Sequence, residues 1–269
     1  MRKIYAVLLV LGTIGFIVSC AKVPLSGRRQ LNLVPESEMI GMSFQAYNDF
    51  LDTNTVLPAT DQKVVMVRNI GNKIAASVEK YLADNKESQR VEGFAWEFNV
   101  VQQDVVNAWC MPGGKVVVYT GILPVTQNEA SLAVVMGHEI AHAIARHGNE
   151  RMSQGMAIQL GGTALSVALS QKPALTRNIF LQSYGIGSTL GTLAYSRNHE
   201  TEADKLGLIF MAMAGYDPQN AIAFWERMAA SGGQAPPELL STHPSDATRI
   251  ATLKEFMPQA LKYYKPAQQ

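Results

Sequence analysis

The chain has 269 residues, 47% of them hydrophobic, and a formal net charge of +1, the balance of an ordinary globular protein. Its 23 basic residues nearly match its 22 acidic ones and form no basic stripe, so no nucleic-acid partner is expected.

Residues 1–19 read as a secretory signal peptide, because Arg2 and Lys3 precede an apolar run from Ile4 to Val18. A cysteine follows at once. This order resembles a bacterial lipobox, which implies cleavage before Cys20 and acylation of its thiol, giving a tethered rather than a spanning protein. Loss of the two basic residues leaves the remaining chain near −1, and Cys110 is then the one free thiol, so no internal disulfide is expected. Ala21 and Lys22 stand where an acidic retention signal would be, which favours the outer membrane of a bacterial envelope, facing the periplasm.

Residues 20–35, with Pro24 and Pro35, are expected to be a tether, and residues 36–269 a single domain. A short helix is predicted over Glu36 to Leu51. A longer amphipathic one follows over Asp61 to Leu82, where Val64, Val67, Ile70, Ile74 and Val78 recur at helical intervals. Trp96, Phe98 and Val100 alternate with polar neighbours, and Lys115 to Thr120 is rich in valine, so both are predicted strands, joined through a turn within Asn107 to Gly114. Next comes a helix that Thr126 and Glu129 would open as a capping box and Gly148 would close. Segments 156–170 and 179–195 are apolar but broken by Gly161, Gly162, Gly185 and Gly187, and read as core or site-covering helices rather than membrane spans. A last helical pattern runs from about residue 196 to Met213. The predicted class is α+β, mainly helical, with a small sheet beside the Thr126–Gly148 helix.

That helix carries His138-Glu139-Ile140-Ala141-His142 in an almost wholly apolar setting. Residues four apart lie about 40° apart around the axis, so both imidazoles leave one face and can share one metal ion. Glu139 lies about 100° from His138, better placed to reach a water on that ion than to bind it. Buried imidazoles and a carboxylate are costly unless satisfied, and a metal satisfies them. Downstream, Glu200 and Asp204 are again four apart: Glu200 is assigned as the third ligand and Asp204 as the group that hydrogen-bonds a ligand histidine. Glu202 falls elsewhere on that helix and is set aside. The alternative metzincin spacing needs glycine at 145 and histidine at 148, where the chain has Ala145 and Gly148, so His147 is read as a structural histidine.

HEIAH at 138–142, ETEAD at 200–204, NAWCMPGG at 107–114 and STHPSDATRI at 241–250 together resemble the metallopeptidase family of the CAAX prenyl proteases, HtpX and the mitochondrial Oma-type peptidase. The lack of clean spans resembles its soluble periplasmic lipoprotein branch, of LoiP and BepA type. The resemblance implies a zincin-like (gluzincin) fold, one Zn2+ on His138, His142 and Glu200, and Glu139 as catalytic acid/base. It further implies a peptide-binding edge strand after Gly114, involving Asn107, Gly114, Val116 and Val118. His243 would approach the metal in a latent or transition-state role, and Arg249 would anchor its loop. The implied function is zinc-dependent endoproteolysis of misfolded or misassembled envelope proteins; the alternative is a zinc-stapled envelope chaperone. Cys110 is expected to be a buried, inert thiol.

Overall fold

The computed structural model describes residues 20–160, 173–184, 196–230, 239, 243 and 247–266. The signal-like segment 1–19 and most of the two expected covering segments lie outside these residues. Two short strands, β1 (Cys20–Lys22) and β2 (Arg29–Leu31), form an antiparallel ribbon. Residues 20–35, expected as a tether, carry this ribbon and touch the rest of the chain: Val23 and Val34 are buried, and Arg28 pairs with Glu150 and Glu202.

Helix α1 (Glu36–Thr53) starts directly after Pro35, with Glu36 and Glu38 in the first turn, where carboxylates complement the helix dipole. Helix α2 (Gln62–Asp84) is capped by Asp61, whose side chain accepts from the Lys63 amide at 2.8 Å, and it buries the stripe from Val64 to Leu82 that its periodicity predicts. Among the described residues the sheet has three strands, one more than the two expected. Strand β5 (Lys115–Tyr119) lies between β3 (Glu97–Val101), which is parallel to it, and β4 (Ala108–Met111), which is antiparallel. The segment expected as a turn thus holds β4, and only Pro112 to Gly114 turn the chain.

Val116, Val117 and Val118 are all fully buried because both faces of the sheet are covered. Phe98, Val100, Cys110, Val116 and Val118 join the main core with α2, while Trp109, Met111, Val117 and Tyr119 pack with Met39 and Tyr47 of α1 on the other side. After a short helix α3 (Leu123–Thr126), α4 (Glu129–Ala145) runs buried from Ser131 to Ala145. Its cap is Asn128, which accepts from the Ser131 amide, not Thr126, whose hydroxyl donates to the Leu123 carbonyl. It ends at Arg146 in the left-handed region, φ 58°, and α5 (His147–Leu160) begins at once, so Gly148 lies inside a helix instead of closing one.

Helix α6 (Pro173–Tyr184) packs on α5. Helix α7 (Arg197–Met213), capped by Ser196, lies along α4 in extensive contact. Helices α8 (Asn220–Ala230) and α9 (Ala247–Ala260) close the main core. Among the described residues no helix is long and apolar enough to cross a membrane.

Candidate metal centre

The four-residue spacing brings the His138 and His142 rings to 4.7 Å between centroids, with their Nε2 atoms 3.1 Å apart. Helix α7 delivers Glu200 to the same point: its Oε2 lies 3.4 Å from His138 Nε2 and its Oε1 3.3 Å from His142 Nε2. His243 completes the group, with Nδ1 3.2 Å from His138 Nε2 and 2.9 Å from Glu200 Oε1. One donor atom from each of these four buried residues lies within 4.8 Å of every other. Glu139 stands just outside, its Oε1 3.5 Å from His243 Nε2.

The donors suit a divalent cation of zinc type. Each α4 imidazole spends its Nδ1 on an outer partner, His138 on Asp204 at 2.9 Å and His142 on His147 at 2.9 Å. Both Nε2 atoms therefore turn inward, onto each other and onto a carboxylate. Burial holds His142 well below the ordinary imidazole range, so its inward nitrogen carries a lone pair. Glu200 Oε2 and Glu139 Oε1 are buried without a hydrogen bond, although each lies within ion-pair range of a neighbouring ring. An unsatisfied buried oxygen costs about 1–3 kcal/mol, and a cation at the centre of the group would relieve that of Glu200.

The outer groups explain the orientation. Arg249 forks onto Asp204, with Nε 2.7 Å from Oδ2 and Nη2 2.6 Å from Oδ1, and its guanidinium lies 3.4 Å from the centre of the Trp225 ring. Burial alone would raise the Asp204 carboxyl, but Arg249 and His138 hold it below its ordinary value. Burial also opposes charge on His138; the Asp204 and Glu200 carboxylates outweigh it and raise that ring to about 9, a proton that a metal would displace. Arg249 Nη1 reaches the His243 carbonyl at 3.4 Å, where a loop anchor was expected.

Glu202, set aside in the sequence, is buried and bonded to the site: His147 Nε2 lies 2.9 Å from its Oε2. The expected substrate strand is corrected more sharply. Val116 and Val118 are fully buried in a strand paired on both sides, so no peptide can join them. At Gly114, φ 81°, an added Cβ would stand 2.6 Å from the Trp96 ring, so this glycine is fixed by the turn and by packing. Asn107 is buried and its side chain accepts from the Ala108 amide. The strand that packs on α4 is β4, which among the described residues lies at the edge of the sheet. Cys110 on β4 is buried, and burial pushes its thiol well up, consistent with an inert side chain.

The profile of Peptidase family M48 matches residues 71–257, which include both α4 histidines, Glu139, Glu200, Asp204, His243 and Arg249. The chain belongs to that family. An M48 peptidase is a zinc metallopeptidase, and here the His138, His142, Glu200 and His243 group can hold one such ion. The chain is 33% identical to the mitochondrial metalloendopeptidase OMA1 of Schizosaccharomyces pombe over 261 residues, covering 96% of this chain and 72% of that one. It is 38% identical over 188 residues to the Arabidopsis thaliana protein of the same name, covering 67% of this chain. It is 30% identical over 161 residues to the beta-barrel assembly-enhancing protease of Escherichia coli, covering 58% of this chain. The chain spans only 36% and 33% of the length of these last two relatives.

Proposed function

We propose that this M48 peptidase is an endopeptidase of protein quality control that cleaves misfolded or misassembled proteins of a bacterial envelope. The observation that carries the endopeptidase reading is that two imidazoles of α4 and a carboxylate of α7 converge beside Glu139, which lies outside the donor group. Zinc held by His138, His142 and Glu200 would supply Lewis acidity to the scissile carbonyl and to the attacking water. Glu139 takes the proton of that water and returns it to the leaving amine. Burial raises its carboxyl above the ordinary glutamate value, which makes the carboxylate a stronger base than a solvated one. Asp204 and Arg249 keep His138 turned inward throughout.

His243 is the resting cap of this site. It stands in the fourth donor position, its amide donates to the Leu239 carbonyl at 2.8 Å, and the Leu239 amide donates to the Val106 carbonyl at 3.1 Å, beside β4. Withdrawal of His243 would open the fourth position, and an extended peptide can then add to β4 by backbone pairing with little sequence preference. The same closed set of four donors favours the second reading, a zinc staple without hydrolysis.

Proteolysis of an unfolded test protein decides between them. A chelator is expected to abolish cleavage and added zinc to restore it; zinc content without cleavage of any unfolded substrate supports the staple, and cleavage that persists in chelator refutes both. The envelope assignment draws on the signal-like residues 1–19, on Cys20 and on the bacterial relative. Lipidated Cys20 would hold the protein on the outer membrane, facing the periplasm. Cys20→Ser is expected to move the protein from the membrane to the soluble fraction; a variant that still pellets with membranes would end the lipid assignment.

A further inference from the structure

The two α4 histidines are oriented by unlike devices. His138 donates its Nδ1–H directly to Asp204, whereas the Nδ1 of His142 faces a second imidazole, His147 Nδ1, at 2.9 Å. One of these two nitrogens must carry the proton, and Glu202 decides which. Its carboxylate only accepts, so His147 holds its proton on Nε2 and donates it to Glu202 at 2.9 Å. His147 Nδ1 is then an acceptor, His142 Nδ1 is the donor, and the lone pair of His142 is left on Nε2, towards Glu200 and His138.

Glu202 is itself fixed. Ser26 and Arg28, in the loop between β1 and β2, both bond it, Arg28 through Nε at 2.7 Å. The other two guanidinium nitrogens of Arg28 fork onto Glu150 at 3.0 and 2.8 Å, and Glu150 accepts from His199, whose ring stacks on His147 at 4.5 Å. One cation thus fastens two carboxylates, and each carboxylate fastens one of two stacked imidazoles. The ribbon also holds the end of α4, since Gln30 donates to the Arg146 carbonyl and receives Arg90, whose Nε donates to the Ile144 carbonyl.

We propose that Glu202, acting through His147, is the positioning group for His142, and that Arg28 of the N-terminal ribbon holds this relay in register. The inference rests on the reading of His142 as a zinc ligand. Carboxylates that act on ligand histidines from outside the donor set set the tautomer and raise the basicity of the inward nitrogen, and their loss weakens metal binding by about 10–100-fold. Glu200, Glu202 and Asp204 of one helix then divide the work: Glu200 meets the donor group, Asp204 serves His138 and Glu202 serves His142.

The test is the zinc affinity of the full chain, measured by competition with a chromogenic chelator, beside the melting temperature of the metal-free protein. His147→Leu is expected to weaken zinc binding by about 10–100-fold, the range for such outer partners. His147→Asn recovers much of this, because its amide oxygen can accept from His142 Nδ1. Glu202→Gln weakens binding less. The double variant His147→Leu/Glu202→Gln binds no worse than His147→Leu, since the carboxylate acts only through that ring. If His147→Leu does not fold, Glu202→Gln and Arg28→Lys carry the test, each expected to lose zinc affinity with the metal-free chain still folded.

Unchanged affinity in the folded variants overturns the relay, as does a double variant whose losses multiply. A lower metal-free melting point with unchanged zinc affinity also overturns it, because that is what a purely structural histidine would give. His142→Ala separates the two layers: if it too leaves zinc affinity unchanged, it is the ligand reading that fails, not the relay alone.

Discussion

Glu139→Gln is expected to leave zinc in place and to lower peptide cleavage by about a hundred- to ten-thousand-fold, the usual contribution of a positioned acid/base group. The substitution keeps the shape of the side chain and removes its ability to take a proton. Zinc content should not change, because Glu139 is outside the four-donor group. Stability gives a second, independent readout. Burial raises the Glu139 carboxyl above its unfolded value, so the ionised form penalises the native state at every pH above the unfolded carboxyl value, and the penalty fades as pH falls. A neutral amide removes that penalty. The metal-free variant should therefore melt at or above the temperature of the parent at neutral pH, and the two should converge in acid. Zinc content and cleavage are measured on the same preparation; a variant that cleaves at the parental rate would show that Glu139 is not the base.

The parts of this centre that were legible in the sequence are those governed by one helical period. His138 with His142, and Glu200 with Asp204, are each four apart on helices that do form, and local spacing alone places them. The features that differ from the sequence expectation depend on breaks and on partners distant in the chain. Thr126 and Asn128 are both good capping residues two positions apart, and the short helix α3 uses the first, leaving the second to cap α4. The break at Arg146 has no glycine to announce it, so His147 reads as a continuation of α4 when it opens α5 and turns back towards His142. Helical geometry around α7 disfavours Glu202 as a ligand but says nothing of what α5 and the N-terminal ribbon bring to its other side. Strand β4 hid between Asn107 and the Pro112 to Gly114 turn, because a strand buried on both faces shows no alternation, and strand order is a matter of pairing rather than of composition. Asp204 was legible as a partner of a ligand histidine; the Arg249 fork that fixes it could be guessed from the motif alone, and only to the level of an anchor.

The convergence of α4 and α7 itself depends on two glycines, and Gly207→Ala is expected to loosen the metal centre without touching any of its ligands. A Cβ at Gly207 would lie 2.9 Å from the His138 amide nitrogen and 3.0 Å from both His138 Cα and the Gly137 carbonyl carbon; a Cβ at Gly137 would lie 2.9 Å from the Gly207 carbonyl oxygen. All of these are backbone atoms of packed helices, so no side chain can swing aside. In an open helix position alanine is about 1 kcal/mol better than glycine, and Gly41 on α1, with nothing near its added Cβ, is the control where that gain should appear. Overpacking costs about 1–3 kcal/mol, and with backbone on both sides the upper part of that range applies, so at Gly207 the clash outweighs the propensity and the metal-free protein should melt lower. The larger effect falls on the site. Relief of the clash must move α7 away from α4 at the level of His138, and that motion draws Glu200 and Asp204 off the imidazoles they face at 2.9 to 3.4 Å. Cleavage should fall by about a hundredfold for a shift near 1 Å. The rise in melting temperature on adding zinc should shrink in Gly207→Ala and stay intact in Gly41→Ala. A Gly207→Ala protein as stable, as responsive to zinc and as active as the parent would mean that the two helices do not meet backbone to backbone, and the geometry of the whole centre would have to be redrawn.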